Sequence, residues 1–94
     1  MSAQSLEALS AANRARSLRS QLKRDVAAGN LTVAEVLVDP PPYTLRMPLF
    51  DLLAAQPRWG AKRTRRLLTL LQISELRLIG ELTYRQRDLI VGMV

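Results

Sequence analysis

The chain has 94 residues, 14 Lys+Arg against 8 Asp+Glu for a formal net charge of +6, and neither His nor Cys. Those two absences exclude imidazole general bases, thiol nucleophiles, His/Cys zinc centres, thiolate-held iron–sulfur clusters and disulfides. The length leaves room for one small domain and not for a large substrate pocket. Hydrophobic residues make up 48%, the proportion of a globular chain. Twelve of the 14 positive charges are Arg, and guanidinium holds phosphate bidentately, so a polyanion is the first partner to consider.

Met1 to Gln21 is polar and rich in Ala and Ser, without the continuous apolar run that a signal peptide or membrane span needs, and the expectation is a cytoplasmic protein. From Ser5 to Ala28 there is no Pro or Gly. Ala11, Ala15, Leu18, Leu22 and Val26 recur at three- and four-residue steps, which predicts a long amphipathic helix with these residues as its buried stripe. Arg16, Arg19 and Lys23 follow the same spacing on a neighbouring face, with Arg14 and Arg24 flanking, while Glu7 and Asp25 are the only acids in the element. A helix charged for solubility alone would carry Glu opposite Arg, so Arg14, Arg16, Arg19 and Lys23 are candidate nucleic-acid contacts.

Gly29-Asn30 predicts a helix C-cap, and Thr32 with Glu35 predicts a capping box opening a short helix, Val33 to Val38. Pro40-Pro41-Pro42 cannot continue a helix and predicts a stiff extended spacer through about Leu45. A third helix is expected from Pro48, which suits a first turn, until Pro57 stops it, with Leu49, Leu52 and Leu53 buried.

Pro57 to Arg66 then places a Pro stop, a Gly turn and a new apolar helical pattern (Leu67, Leu68, Leu70, Leu71) within a few residues, the arrangement of a helix-hairpin-helix junction; five of these ten residues are basic and none is acidic. A helix that starts after a Gly turn offers backbone N–H groups with no internal acceptor, at the positive end of its dipole. Gly60 can take positive φ and lets another backbone come close. Basic residues crowded at a helix N-terminus oppose the dipole unless an anion offsets them. Gly60, Ala61, Lys62, Arg63, Thr64, Arg65 and Arg66, with Arg58 before the turn, are therefore the candidate phosphate site, gripping backbone and reading no base edge. Trp59 either plugs the hairpin core, stacks on a nucleotide or wedges into a base step; Tyr43 either packs over the Pro corner or touches DNA. Beyond Gly80, Thr83 and Gln86 predict a second capping box and a last helix carrying Leu89, Ile90 and Met93.

Pro57-Arg58-Trp59-Gly60-Ala61-Lys62-Arg63 with its following apolar helix, Gly80 through Arg87 with Tyr84-Arg85-Gln86-Arg87, the Asn30-Leu31-Thr32 start of a short helix and the basic first helix together resemble the actinobacterial (mycobacterial-type) integration host factor family, over roughly Ala12 to Ile90. The resemblance implies an all-α fold of about five helices in one domain: a long basic helix (1–29), a short helix and Pro-rich spacer (30–46), and a helix-two-turns-helix module (47–94). It implies a nucleoid-associated protein that binds duplex DNA through phosphates with little sequence preference and bends or compacts it. A monomer in solution, with several copies along DNA, is expected. Arg77, Arg85 and Arg87 become further candidate contacts. The chain departs from the family's pattern at Ala61, where a basic residue usually follows the glycine, and at Arg77-Leu78-Ile79-Gly80-Glu81-Leu82-Thr83, where Glu81 repels phosphate and puts a second contact at that turn in doubt.

Three other classes compete: an RNA- or ribosome-binding helix-two-turns-helix protein, a protein-interaction adaptor, and a base-excision enzyme using Lys62 as amine nucleophile with Glu75 or Asp88 assisting. Base flipping needs a pocket that 94 residues with one core leave little room for. No catalytic residue, metal, cofactor, small-molecule substrate or membrane contact is expected.

Overall fold

A computed structural model describes residues 3–94, with side chains from Leu6 onward. Every named element is helical: α1 (Ala3–Ala27), α2 (Val33–Val38), a 3-10 turn (Pro42–Thr44), α3 (Leu49–Ala54), α4 (Ala61–Leu71), a second 3-10 turn (Ile79–Glu81) and α5 (Tyr84–Met93). The only β pairing among the described residues is one antiparallel bridge, Pro48 with Leu78. No described helix is long and apolar enough to cross a membrane.

The caps form as their chemistry dictates. Gly29, at φ 80°, closes α1 in a Schellman turn: its N–H donates to Val26 O (3.1 Å) and Asn30 N–H to Asp25 O (2.9 Å). Thr32 Oγ1 accepts from Glu35 N–H at 3.1 Å, one half of the expected box. At α5 both halves form: Thr83 Oγ1 accepts from Gln86 N–H and Thr83 N–H donates to Gln86 Oε1.

One core gathers every helix. Leu22 and Val26 of α1 meet Val33, Val36 and Leu37 of α2, the wholly buried Leu49, Leu52 and Leu53 of α3, Leu67 and Leu68 of α4, and Ile90 of α5. α2 packs on α5 and α3 on α4, while α1 rests on α3 and on the first 3-10 turn.

The expected stripe of α1 is only half used. Leu22 and Val26 are buried, Ala15 is half-buried, Ala11 is exposed and Leu18 remains 47% exposed. The element is about 37 Å long at 1.5 Å per residue, whereas the molecule measures 46 × 27 × 23 Å. Its N-terminal half extends past the core, and Leu6 and Leu9 stay about half exposed there.

The Pro run also differs from expectation. Pro41 keeps extended polyproline geometry (φ −57°, ψ 144°), but Pro42 starts a helical turn, a position that its locked φ suits. Thr44 becomes fully buried, its Oγ1 donating to Pro41 O at 2.6 Å. The segment is a packed corner instead of a spacer. Leu45 to Leu49, just beyond this corner, pair with the chain before α5: Gly80 N–H donates to Leu45 O (2.9 Å), Ile79 N–H to Met47 O (3.0 Å) and Leu49 N–H to Arg77 O (2.9 Å). These three bonds hold the two halves of the α3-to-α5 region in register.

Candidate nucleic-acid interface

After Ala54 the chain winds down through Gln56, whose N–H and Nε2 both donate to Leu53 O, and Trp59 N–H donates to Gln56 O at 3.1 Å. The left-handed residue of the turn is Arg58, at φ 68°, whereas Gly60 sits at φ 8°, ψ 176° as the N-cap of α4. A Cβ on Gly60 would meet nothing within 4 Å. The expectation of a positive φ at Gly60 is thereby corrected: the left-handed residue stands two positions earlier, at Arg58, while Gly60 is exposed and leaves open space where a Cβ would stand.

Gly60 O takes two donors, Thr64 N–H (3.3 Å) and Thr64 Oγ1 (3.0 Å). Thr64 is fully buried, so its side chain belongs to the frame of the hairpin and is withdrawn from the phosphate contacts. No side chain caps α4, and the N–H groups of Gly60, Ala61, Lys62 and Arg63 have no acceptor among the described residues. α2 and α5, by contrast, are capped by Thr32 and Thr83. Exposed amides in this state form a ready anion seat.

The cations divide by geometry. Arg63 stacks on Trp59, its guanidinium carbon 4.2 Å from the ring centroid. Trp59 is 8% exposed, which makes it the hairpin plug and leaves no free face for a base. Arg65 lies at the opposite edge of α4's outer face, 5.6 Å from the Phe50 ring, and its Nε donates to Glu75 Oε1 at 2.9 Å. That is the single ion pair among the described residues. It occupies Glu75, one of the two carboxylates that a base-excision reaction would have called on. Arg58, Lys62 and Arg66 are exposed and carry no ion pair. Four cations of the hairpin, Arg58, Lys62, Arg63 and Arg66, thus carry no ion pair among the described residues, and Arg65 is already engaged.

The second turn is built differently. Gly80 N–H, Glu81 N–H and Leu82 N–H all have backbone acceptors, and Leu78 N–H is taken by Glu81 Oε1 at 2.9 Å. Its amides are spent, and a carboxylate of the chain itself fills the place where an anion would sit. Gly80 is needed for space: an added Cβ would lie 2.9 Å from Leu45 O and 3.1 Å from Leu45 Cβ. Gly80→Ala is expected to cost about 1–3 kcal/mol, measured by thermal unfolding.

On α1, Arg16, Arg19 and Lys23 share one shallow depression with Met47, Pro48 and Asp51. Arg14 lies elsewhere, beside Asn13, Ser17 and Leu18, and is removed from that face. Arg19 Nε donates to Ala15 O within its own helix. Asp51 belongs to α3, so no reading of α1 alone could show an acid facing this patch. Tyr43 is half-buried against the core. Arg77 is half-buried and Arg85 exposed. Arg87 is half-buried, 5.6 Å from the Tyr84 ring. Tyr84, 85% exposed at the first position of α5, was not among the sequence candidates; its signal is the position just after a capping Thr, which turns the side chain to solvent.

No protein-family model matches the chain, and neither does any curated protein. Among solved structures it is similar to that of sIHF bound to an 8-base-pair palindromic DNA, with a TM-score of 0.83 at 23% identity, over 89% of this chain and 97% of that one. The fold is integration-host-factor-like. Within that integration-host-factor-like fold the α3–α4 hairpin carries the uncapped helix start and its basic residues, and the turn at Gly80 serves as a structural brace.

Proposed function

We propose that the chain is a non-enzymatic architectural protein of the actinobacterial integration host factor type, acting at the nucleoid, that grips duplex DNA by its phosphates and bends or compacts it. The observation that carries this reading is the set of four amides, Gly60 to Arg63, without an acceptor among the described residues, in a hairpin whose Arg58, Lys62, Arg63 and Arg66 carry no ion pair there. A phosphate diester supplies the negative charge that the α4 dipole and these side chains lack. The similarity to a DNA-bound sIHF structure supports duplex DNA as the polyanion. Phosphates carry no sequence information, so sequence preference is weak.

The face of Arg16, Arg19 and Lys23 is separated from the hairpin by α3, on which α1 and α4 both pack. DNA that engages both faces either curves, at a cost on the order of 1 to 6 kcal/mol for tens of degrees, which several charge-assisted phosphate bonds offset, or is bridged as two duplex segments.

Binding to duplexes of about 50 to 100 base pairs, followed by gel shift across a salt series, tests the reading. About four phosphates at the hairpin predict a log-affinity against log-salt slope near −3.6, and engagement of the α1 face steepens it toward about −6. An affinity indifferent to salt, or a preference for double-stranded RNA of equal length, overturns it.

A further inference from the structure

A groove of about 710 Å³ runs along the outer side of α4 to the end of α5. Its floor is Trp59 and Leu67, its far end Leu70 and Met93, and one rim is Arg63 and Arg66. Leu70 is 69% exposed and Met93 44%, although both are large apolar side chains on well-formed helices. No acidic residue lines the groove. Phosphate binding at Gly60 uses the arginines and leaves Leu70 and Met93 wet, because a sugar-phosphate surface presents no apolar ridge to cover them.

We propose that this groove docks an acidic amphipathic helix of a protein partner, which lays apolar residues on Leu67, Leu70 and Met93 and sets carboxylates against Arg63 and Arg66. Arg63, Leu67 and Leu70 stand at i, i+4 and i+7 along α4, the spacing at which one helix reads another. The charge of the rim selects the partner: a helix carrying carboxylates on the flank of its apolar stripe is attracted, whereas a basic one, including α1 of a second copy with Arg14 and Arg16, is repelled. Two rim arginines also belong to the DNA site proposed above, on which the second half of the inference rests: partner and duplex exclude one another.

The probe is a synthetic peptide of about 18 residues, long enough to hold a helix, with Leu at i, i+3, i+4 and i+7 and Glu at most other positions; its control is a scrambled peptide of the same composition. By fluorescence anisotropy the helical peptide binds and displaces a labelled duplex, and Leu70→Gln or Met93→Gln weakens it about tenfold while DNA affinity stays within about twofold. Both positions are solvent-exposed, so neither variant threatens the fold. Equal binding of the scrambled peptide, or no effect of both Gln variants, overturns the proposal. So does a concentration-dependent dimer in sedimentation that Leu70→Gln abolishes, which assigns the groove to a second copy. Capture by phosphatidylglycerol vesicles that Leu70→Gln abolishes assigns it to a membrane and overturns it equally. If the wild-type chain binds the peptide in this pattern but no duplex, the groove stands and the DNA reading falls.

Discussion

Reversing two charges together, Arg63→Glu with Arg66→Glu, is expected to lower duplex affinity by about a hundredfold or more, near 3 kcal/mol, and to flatten the salt slope by about two. Each substitution removes a donor beside the α4 amides and puts a carboxylate there, so the seat for phosphate gains repulsion as well as losing attraction. Both residues are exposed and lie outside the core, and acids in the first turns of α4 complement its dipole. The melting temperature therefore stays within a few degrees of the parent. Arg65→Glu makes a contrast within the same helix: Arg65 already donates to Glu75, so it contributes less to binding, and its reversal instead sets two carboxylates side by side. An unchanged affinity of the Arg63/Arg66 double variant would remove the hairpin from the interface.

Trp59→Ala carries the largest expected loss of stability, about 3–5 kcal/mol for truncating a buried aromatic. For a domain of this size that lowers the melting temperature by at least about 12 °C. The same variant has a second effect at temperatures where it remains folded. Arg63 loses the ring over which its guanidinium is stacked at 4.2 Å, regains rotamer freedom and has to be ordered again by each phosphate it meets, so affinity falls as well. Trp59→Phe separates the two effects, because it keeps an aromatic face under Arg63 while leaving a smaller void. It should recover most of the binding and only part of the stability. A Trp59→Phe variant that binds as poorly as Trp59→Ala would show that the stacking contributes nothing.

Much of the hairpin is legible in the sequence because its signals are local. Pro57 cannot continue α3, five basic residues fall within ten positions, and a helix starting after Gly60 must leave amides unpaired whatever surrounds it. Caps are legible for the same reason: Gly29, Thr32 and Thr83 act on amides or carbonyls a few residues away. The Pro run reads as a spacer because Pro40 and Pro41 do favour extended backbone; what turns Pro42 to Thr44 into a corner is local, Thr44 bonding back to Pro41 O. The burial of Thr44 and the bonds from Gly80 and Ile79 to Leu45 and Met47 just beyond it come from residues more than thirty positions on. The stripe of α1 reads as longer than it is because periodicity shows which residues share a face and says nothing about whether another element reaches it.

From the order of residues alone came the helical class, the helix ends, the buried leucines of α3 and the cluster of cations around Gly60, all set by interactions within one or two turns. Only the folded chain decided which of those cations are available. Trp59 draws Arg63 onto its ring, Glu75 withdraws Arg65, Asp51 faces the α1 patch and Glu81 closes the second turn. Glu81 and Trp59 act on residues three and four positions away, whereas Glu75 and Asp51 owe their effect to packing between parts of the chain ten or more residues apart. Electrostatic attraction depends on distance in space and not on separation along the chain.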